Sequence, residues 1–308
     1  MRSQAELGTE EGTEERSQMS EQVWTLGALL EWTAKHLAQK GVEYPRLDAE
    51  VLLAHAVGCK RIDLYGTRFA EVASPEVRQK YRELIGKRIE GCPVAYLVGK
   101  KEFFGLEFTV SPAVLIPRPD TEHVVMECVA LAKSLPAPRI VDIGAGSGNL
   151  VVALAKQLPA GQITAIDKSS PALLVAKENA TKHGMTERIR FVEGDLFGPL
   201  APEERFDFVV SNPPYISHDD IAKLPGGVKN YEPHAALDGG PDGFAVFDRL
   251  IDAARTRLVP GGWLIVEIGA PQEEPARKRI AAQSEYELAA TVRDYSGHPR
   301  VLKARRLA

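Results

Sequence analysis

Ile140-Val141-Asp142-Ile143-Gly144-Ala145-Gly146-Ser147-Gly148 carries a short apolar, β-rich run into three glycines at alternate positions. Such a stretch reads as a strand turning into a helix. Glycines there let the backbone bend sharply and approach a ligand closely. The spacing is not the G-x-G-x-x-G of dinucleotide enzymes, and no Lys-Ser/Thr follows as in a P-loop, so a pyrophosphate reader is disfavoured. Alone, the loop is also compatible with a tight turn that binds nothing.

What lies downstream sharpens the reading. Asp167 ends the next β-rich run, Ile163–Ile166. A carboxylate at that place can accept hydrogen bonds from both hydroxyls of a ribose. Asp195 follows the third run, Ile189–Val192, in Gly194-Asp195-Leu196-Phe197. It is a candidate acceptor for an adenine amine, with Leu196 and Phe197 packing on the ring. Further runs are Phe206–Val210 and Trp263–Ile268, and helical patterns separate them. Ser170-Pro171 opens one helix by capping. Phe247, Leu250, Ile251, Ala254 and Leu258 form the apolar face of another, which Pro260-Gly261-Gly262 stops. This alternation predicts an α/β fold with a largely parallel sheet covered by helices on both sides. Gly144–Gly148, Asp167 and Asp195 all fall at the carboxyl ends of strands, where open α/β sheets bind ligands.

Asn212-Pro213-Pro214-Tyr215 follows the fourth run. Two prolines fix φ and remove two amide donors, so the preceding carbonyls become rigid acceptors. Asn212 adds a side-chain acceptor, and Tyr215 adds an aromatic ring. The set suits a planar NH2 group whose two hydrogens bond to the Asn212 oxygen and the Pro213 carbonyl while its face stacks on Tyr215. A methyl donor in the glycine loop would then face the nitrogen lone pair. At this level the group is an amide or an exocyclic amine of adenine alike. A non-catalytic binding protein on the same fold is a further alternative.

The rest of the chain bounds the picture. It has 308 residues, which suggests about two domains. Net charge is -4, of which five Glu against Arg2 and Arg16 place -3 in the first twenty residues. The remaining body is near neutral, which argues against a nucleic-acid partner. Arg277-Lys278-Arg279 and the tail Lys303, Arg305, Arg306 read as solvated helix or strand edges. Cys59, Cys92 and Cys128 are isolated, which suits a reducing compartment and speaks against a zinc site. No apolar run reaches the ~18–20 residues of a membrane span, and the N-terminus lacks a secretory signal. The expectation is a cytoplasmic monomer without metal, membrane association or direct nucleic-acid binding.

Residues 1–20 are polar and acidic and are predicted to be disordered. Met19 opens a stretch that reads like an ordinary N-terminus, so residues 1–18 are read as an extension or an upstream start. Residues 21–92 read as a bundle of three short helices capped by Thr25, Asp48 and Ser74-Pro75. Residues 93–122, rich in proline and glycine, read as a linker with a hairpin around Ser111-Pro112 that uses Val114-Leu115-Ile116 as a strand. The α/β domain is expected over 123–308.

The Asp142–Gly148 loop, Asp167 and Asn212–Tyr215 together resemble class I S-adenosylmethionine methyltransferases that act on exocyclic or amide nitrogen. Further stretches resemble the release factor glutamine methyltransferases (the HemK/PrmC family): Pro93-Val94-Ala95-Tyr96-Leu97, Glu102–Leu106, Leu115–Glu122, Tyr231-Glu232-Pro233, Ala236–Gly240 and Glu267-Ile268-Gly269. The resemblance runs from about residue 23 to the C-terminus. It implies a Rossmann-like methyltransferase with a mostly parallel seven-stranded sheet, preceded by a helical domain that helps dock a class I peptide chain release factor. It implies methylation of the glutamine of a Gly-Gly-Gln motif at N5. S-adenosylmethionine would meet Gly144, Ala145, Gly146, Ser147, Gly148, Asp167, Asp195, Leu196 and Asn212, with Pro117, Arg118 and Thr121 from the linker side. The glutamine would be held by Asn212, Pro213, Pro214 and Tyr215, with Asn212, Pro213 and Tyr215 as the catalytic set. Ala145 stands where the family often has Thr, and Leu196 where some members have Trp. The acidic leader is outside the family pattern.

Overall fold

The structure, a computed structural model, describes residues 23–308. The acidic leader lies outside the described residues. The described chain divides into two compact units, one ending at Glu90 and one spanning Gly91–Ala308.

The first unit holds α1 (Leu26–Gln39), α2 (Pro45–Val57) and α3 (Pro75–Ile89). Thr25 caps α1 by accepting from the Ala28 amide, and Ser74 caps α3 by accepting from the Val77 amide. Leu26, Leu30 and Leu37 of α1 are buried, as are Leu52 and Leu53 of α2 and Tyr81 of α3. The Tyr81 hydroxyl donates to the Ala49 carbonyl at 3.0 Å, so this buried hydroxyl is satisfied. Asp48 does not cap α2. Pro45 fixes the first helical position, and Asp48 sits in the first turn, where it accepts from Arg88 Nε at 2.7 Å.

The second unit opens with the short helix α4 (Val94–Val98), then β1 (Lys100–Phe103) and β2 (Leu106–Thr109). These two strands are the hairpin, so its turn lies at Phe104-Gly105 and not at Ser111-Pro112. Phe104 and Gly105 both have positive φ, 51° and 68°, as a two-residue turn between twisted strands requires. Val114–Ile116 is not a strand. Prolines 112, 117 and 119 withhold ladder donors there. Side chains satisfy the backbone instead: Tyr96 Oη donates to the Val114 carbonyl at 2.6 Å, and the Ile116 amide donates to Glu232 at 3.1 Å.

After α5 (Glu122–Ala132) the chain alternates through β3 (Arg139–Ile143), α6 (Asn149–Gln157), β4 (Gln162–Asp167), α7 (Ser170–Lys182), β5 (Ile189–Glu193) and β6 (Phe206–Ser211). Short helices α8 (His218–Ile221) and α9 (Gly226–Lys229) precede α10 (Ala245–Arg257), β7 (Leu258–Glu267) and α11 (Glu273–Ala281). The chain closes with β8 (Tyr286–Leu288), β9 (Val292–Arg293) and β10 (Pro299–Arg306). The cap of α7 is Ser169, one residue before the sequence suggested, because Pro171 occupies the second helical position. Seven strands run in the order β5-β4-β3-β6-β7-β10-β8, and the two-residue β9 pairs with β10 off that path. Strands β3 to β7 are mutually parallel, and β10 is antiparallel to its neighbours. Alternate side chains feed two cores. Ile140, Ala165 and Val210 pack with α5 and α6, whereas Val141, Ile166 and Val209 pack with α10 and α11.

Order in the sheet reverses beside β3: β4 and β5 lie on one side, β6 and β7 on the other. That is the switch point at which the carboxyl ends of the strands open a crevice. Ser211 Oγ donates to the Ile143 carbonyl at 2.6 Å and ties the ends of β6 and β3 together there.

Candidate active site

A cavity lies at this switch point. Its floor is the loop after β3. The Gly144 and Ala145 amides donate to the Ile166 carbonyl at 2.8 and 3.0 Å, which folds the loop across the end of β4. Gly144 has φ 81° and open space where a Cβ would stand, so it faces the cavity bare. Gly146 (φ 53°) is similarly open. Ala145 and Ser147 also line the cavity, but Gly148 does not. A Cβ on Gly148 would stand 3.0 Å from Ala176 Cβ, so this third glycine serves the close packing of α6 against α7.

Asp167 lines the cavity with both carboxylate oxygens partly engaged. One accepts from the Gly146 amide at 2.8 Å, the other from the Ser169 amide at 2.9 Å. Each oxygen keeps a lone pair for a further donor. Asp195 and Leu196 line the cavity too. The Asp195 carboxylate forms an ion pair with Arg249 of α10, a cavity residue that the sequence did not single out. Phe197 is not at the cavity. It is buried in the core with α10, since the chain turns inward after Leu196, a non-glycine residue with φ 50°.

Asn212, Pro213 and Pro214 line the opposite wall. Asn212 Nδ2 donates to Thr121 Oγ1 at 3.1 Å, and Thr121 Oγ1 donates to Glu267 Oε2 at 2.6 Å. Tyr215 stands behind this wall. Its hydroxyl is 3.5 Å from Glu267 Oε1, and its ring lies against Gly269. Burial, then the neighbouring Glu267, push the Tyr215 hydroxyl well above its ordinary value. Tyr215 is not among the residues that line the cavity. Glu267 is buried at the end of β7, and burial pushes it up to about 7 despite the bond from Thr121. Asp142, beneath the glycine loop, is also fully buried, and neither oxygen has a partner among the described residues. Burial, then repulsion from Asp167, raise it well above the usual carboxylate range.

The glycine-rich stretch after Tyr231–Pro233 has a mechanical reason. A Cβ on Gly239 would stand 2.8 Å from Tyr215 Cα, and one on Gly243 2.5 Å from the Tyr215 carbonyl. Gln272 Nε2 donates to that same carbonyl at 3.0 Å. Glycines thus let the 239–243 segment clasp the back of the Asn212–Tyr215 loop.

The third wall is the proline-rich segment after the hairpin, which contributes Pro117, Arg118 and Thr121. Glu232 secures it. This buried carboxylate accepts from the Ile116 amide at 3.1 Å and from Arg118 Nη2 at 2.5 Å. Pro233, Ala235 and Ala236 follow it along the cavity edge. Asn179 of α7 links the hairpin to the floor: Nδ2 donates to the carbonyls of Thr109 and Ser147, both at 2.9 Å. Sequence reasoning gave Glu232, Glu267 and Asn179 no role. Glu232 and Glu267 lie in stretches that carry the family resemblance, and two of the three also carry a local signal. Glu267 is an acid closing an apolar strand, and Asn179 is an amide on the buried Ala172-Ala176-Ala180 face of a helix.

Several side chains of the basic stretches form ion pairs, part of them at the surface. Lys303 pairs with Glu127 at 2.7 Å, and Lys278 with Glu274 at 3.3 Å. Arg279 pairs with Asp242 and Asp248, and its guanidinium lies 3.8 Å from the centre of the Phe244 ring. Among the described residues no helix is long and apolar enough to cross a membrane.

The model of the PrmC N-terminal domain matches residues 28–99, and that of the methyltransferase small domain matches residues 123–224. The release factor glutamine methyltransferase of Rhodopirellula baltica is 44% identical over 91% of this chain and 95% of its own length. That of Geobacter sulfurreducens is 43% identical over 82% and 87%. A solved structure, the release factor-specific protein-(glutamine-N5) methyltransferase of Alicyclobacillus acidocaldarius, is 26% identical, covers 65% of this chain and 100% of its own, and has a TM-score of 0.40. With both parts of the chain matched and identity this high over nearly all of its length, the chain belongs to the release factor glutamine methyltransferase family.

Proposed function

We propose that this protein transfers a methyl group from S-adenosylmethionine to the side-chain amide nitrogen (N5) of the glutamine in the Gly-Gly-Gln motif of class I peptide chain release factors. One observation carries the reading. Asn212 and Pro213 line the same cavity as the bare glycine loop.

The methyl donor fits the residues present. Bare Gly144 and Gly146 accept close approach, and Asp167 offers a lone pair on each oxygen for ribose hydroxyls. Ala145 and Ser147 complete the floor, and Pro117, Arg118 and Thr121 the far edge. Asp195 and Leu196 mark the adenine end, where Arg249 competes for the Asp195 carboxylate. When bound, S-adenosylmethionine supplies an electrophilic methyl group on a sulfonium sulfur.

A carboxamide nitrogen is a poor nucleophile because its lone pair is delocalised into the carbonyl. Asn212 Oδ1 and the Pro213 carbonyl accept its two hydrogens and favour positive charge growing on nitrogen during attack. Pro213 and Pro214 keep those acceptors from turning away, so little reorganisation accompanies reaction. Tyr215 holds the loop from behind through Glu267 and Gln272. The proton leaves to water after methyl transfer.

The helices of residues 21–92 serve as the docking domain for the release factor, and the protein acts as a monomer in the cytoplasm, where translation terminates. It needs no metal, and nucleic acid is not its substrate, since the body of the chain is near neutral and carries no clear basic stripe. Mass spectrometry of a release factor incubated with the protein and S-adenosylmethionine tests this. A gain of one methyl group on the Gly-Gly-Gln glutamine is expected. Methyl on RNA or DNA alone, or on neither, would overturn it.

A further inference from the structure

We propose that Glu267 is a positioning residue that orients the Asn212 amide through Thr121, so that the charge on one buried carboxyl decides whether the cavity is offered an acceptor or a donor. The inference rests on the reading of Asn212 as the holder of the substrate NH2.

The three groups form a chain with a single direction. Asn212 Nδ2 lies 3.1 Å from Thr121 Oγ1, which lies 2.6 Å from Glu267 Oε2. Thr121 and Glu267 are each 2% exposed, which leaves little room for water to intervene. A hydroxyl has one hydrogen to give. An ionised Glu267 only accepts, so Thr121 donates to it and keeps lone pairs alone for Asn212. Asn212 must then turn its NH2 to Thr121, and Oδ1 is left for the cavity. Protonated on Oε2, Glu267 donates to Thr121 instead. Thr121 then donates outward, Asn212 turns its oxygen inward, and its NH2 meets the cavity. Two NH2 groups face to face cannot hold one another.

The groups that act on Glu267 come from several elements. Thr121 and Asp120 come from the turn before α5, Tyr215 from the loop after β6, and Arg300 from β10. Burial and Asp120 favour the neutral acid, while Thr121, Arg300 and Tyr215 favour the anion. Arg300 is shared, standing 3.0 Å from Asp120 and 2.9 Å from Asp294, which weakens its hold on Glu267. The balance leaves Glu267 titrating at about 7, where a small change of pH alters the direction of the chain.

The test is the pH profile of single-turnover methylation of a purified class I release factor by the full-length protein at saturating S-adenosylmethionine, between about pH 5.5 and 9. The wild type should lose rate by about tenfold per pH unit below a midpoint near 7. In Glu267→Gln the acceptor survives without a titrating proton, so the acid limb should vanish. In Glu267→Leu the inner acceptor is gone, and the rate at pH 8 should fall about 100-fold with donor affinity within about threefold of wild type. A merely structural Glu267 would alter folding or donor affinity and leave the acid limb in place. A wild type with no acid limb, or a Gln variant that keeps it, overturns the inference while the methyltransferase reading stands. A wild type that methylates nothing at any pH overturns that reading, and this inference with it.

Discussion

Asn179 and Thr109 exchange a reciprocal pair of hydrogen bonds: the Thr109 amide donates to Asn179 Oδ1 at 2.7 Å, and Asn179 Nδ2 donates to the Thr109 carbonyl at 2.9 Å. The second Nδ2 hydrogen goes to the Ser147 carbonyl at 2.9 Å. One buried amide thus mimics a strand at the edge of the hairpin and pins the glycine loop. Removing it leaves three backbone groups short of a partner. Asn179→Leu is expected to destabilise the fold by about 2–4 kcal/mol, at about 1–3 kcal/mol per unsatisfied buried group with some relief from water. It should also weaken S-adenosylmethionine binding, because the floor of the cavity loosens. Urea denaturation and calorimetry check both. Unchanged donor affinity would detach Asn179 from the site.

Asn212→Ala should separate binding from chemistry. The alanine removes the acceptor held over the cavity but leaves the glycine loop and Asp167 untouched. Turnover is expected to fall about 100- to 1,000-fold, the scale seen when one preorganised transition-state contact is lost. Donor affinity should stay within about threefold, because the groups that meet the ribose remain. Single-turnover methylation with calorimetry decides the matter, and near wild-type turnover sinks the role.

Asp167 divides differently. Its oxygens hold the Gly146 and Ser169 amides as well as facing the cavity. Asp167→Ala should therefore weaken donor binding by more than about tenfold, through a lost ribose contact and a slack loop together. Asp167→Asn keeps one acceptor oxygen and should fall between alanine and wild type. Equal dissociation constants for all three proteins are the outcome that excludes the contact.

Gly239→Ala tests the clasp. The added Cβ would stand 2.7 Å from the Gly243 carbonyl and 2.8 Å from Tyr215 Cα, both backbone atoms, so the two segments must move apart. Overpacking of this kind costs about 1–3 kcal/mol. The strain falls on the Asn212–Tyr215 loop, so turnover should drop with little change in donor affinity. A variant as stable and as active as wild type would show that the loop holds its place without the glycines.

Legibility in the sequence followed from how local each cause is. The parallel strands β3 to β7 were readable because each is a short apolar run ending in a glycine, acid or asparagine turn. The antiparallel strands β8 to β10 were not, since they carry charges that long-range pairs absorb, as Lys303 does with Glu127. The hairpin was placed one turn too late because Ser111-Pro112 looks more like a turn than Phe104-Gly105. Only the paired strands reveal that Phe104 accepts a positive φ. In the site, Gly144 and Asn212 announced themselves by residue type. Glu232 did not, because its role is to meet the Ile116 amide 116 positions earlier. Gly148 carries a packing demand that its own stretch does not reveal, because Ala176 on the next helix sets it.

Glu267 also leaves a mark on stability that does not depend on turnover. Its folded value is raised to about 7 chiefly by burial, whereas in the unfolded chain a glutamate titrates near ~4.3. As pH rises past about 4 the unfolded chain releases this proton first, while the folded protein keeps it until about 7. Over that window the unfolded state binds fewer protons, so stability falls with rising pH. The favourable contribution is complete below the unfolded value and lost once pH passes the folded one. A shift of this size corresponds to a loss of about 4 kcal/mol, at about 1.4 kcal/mol per pH unit. Glu267→Gln has no proton to lose there. The stability of the variant relative to wild type should therefore climb between about pH 4 and 8 by an amount of that order. Asp142 is shifted in the same direction but is present in both proteins, so its contribution cancels in the difference. Urea unfolding of the two proteins at half-unit pH steps measures it. Two stability curves that stay parallel across the window mean that Glu267 is not held neutral by the fold.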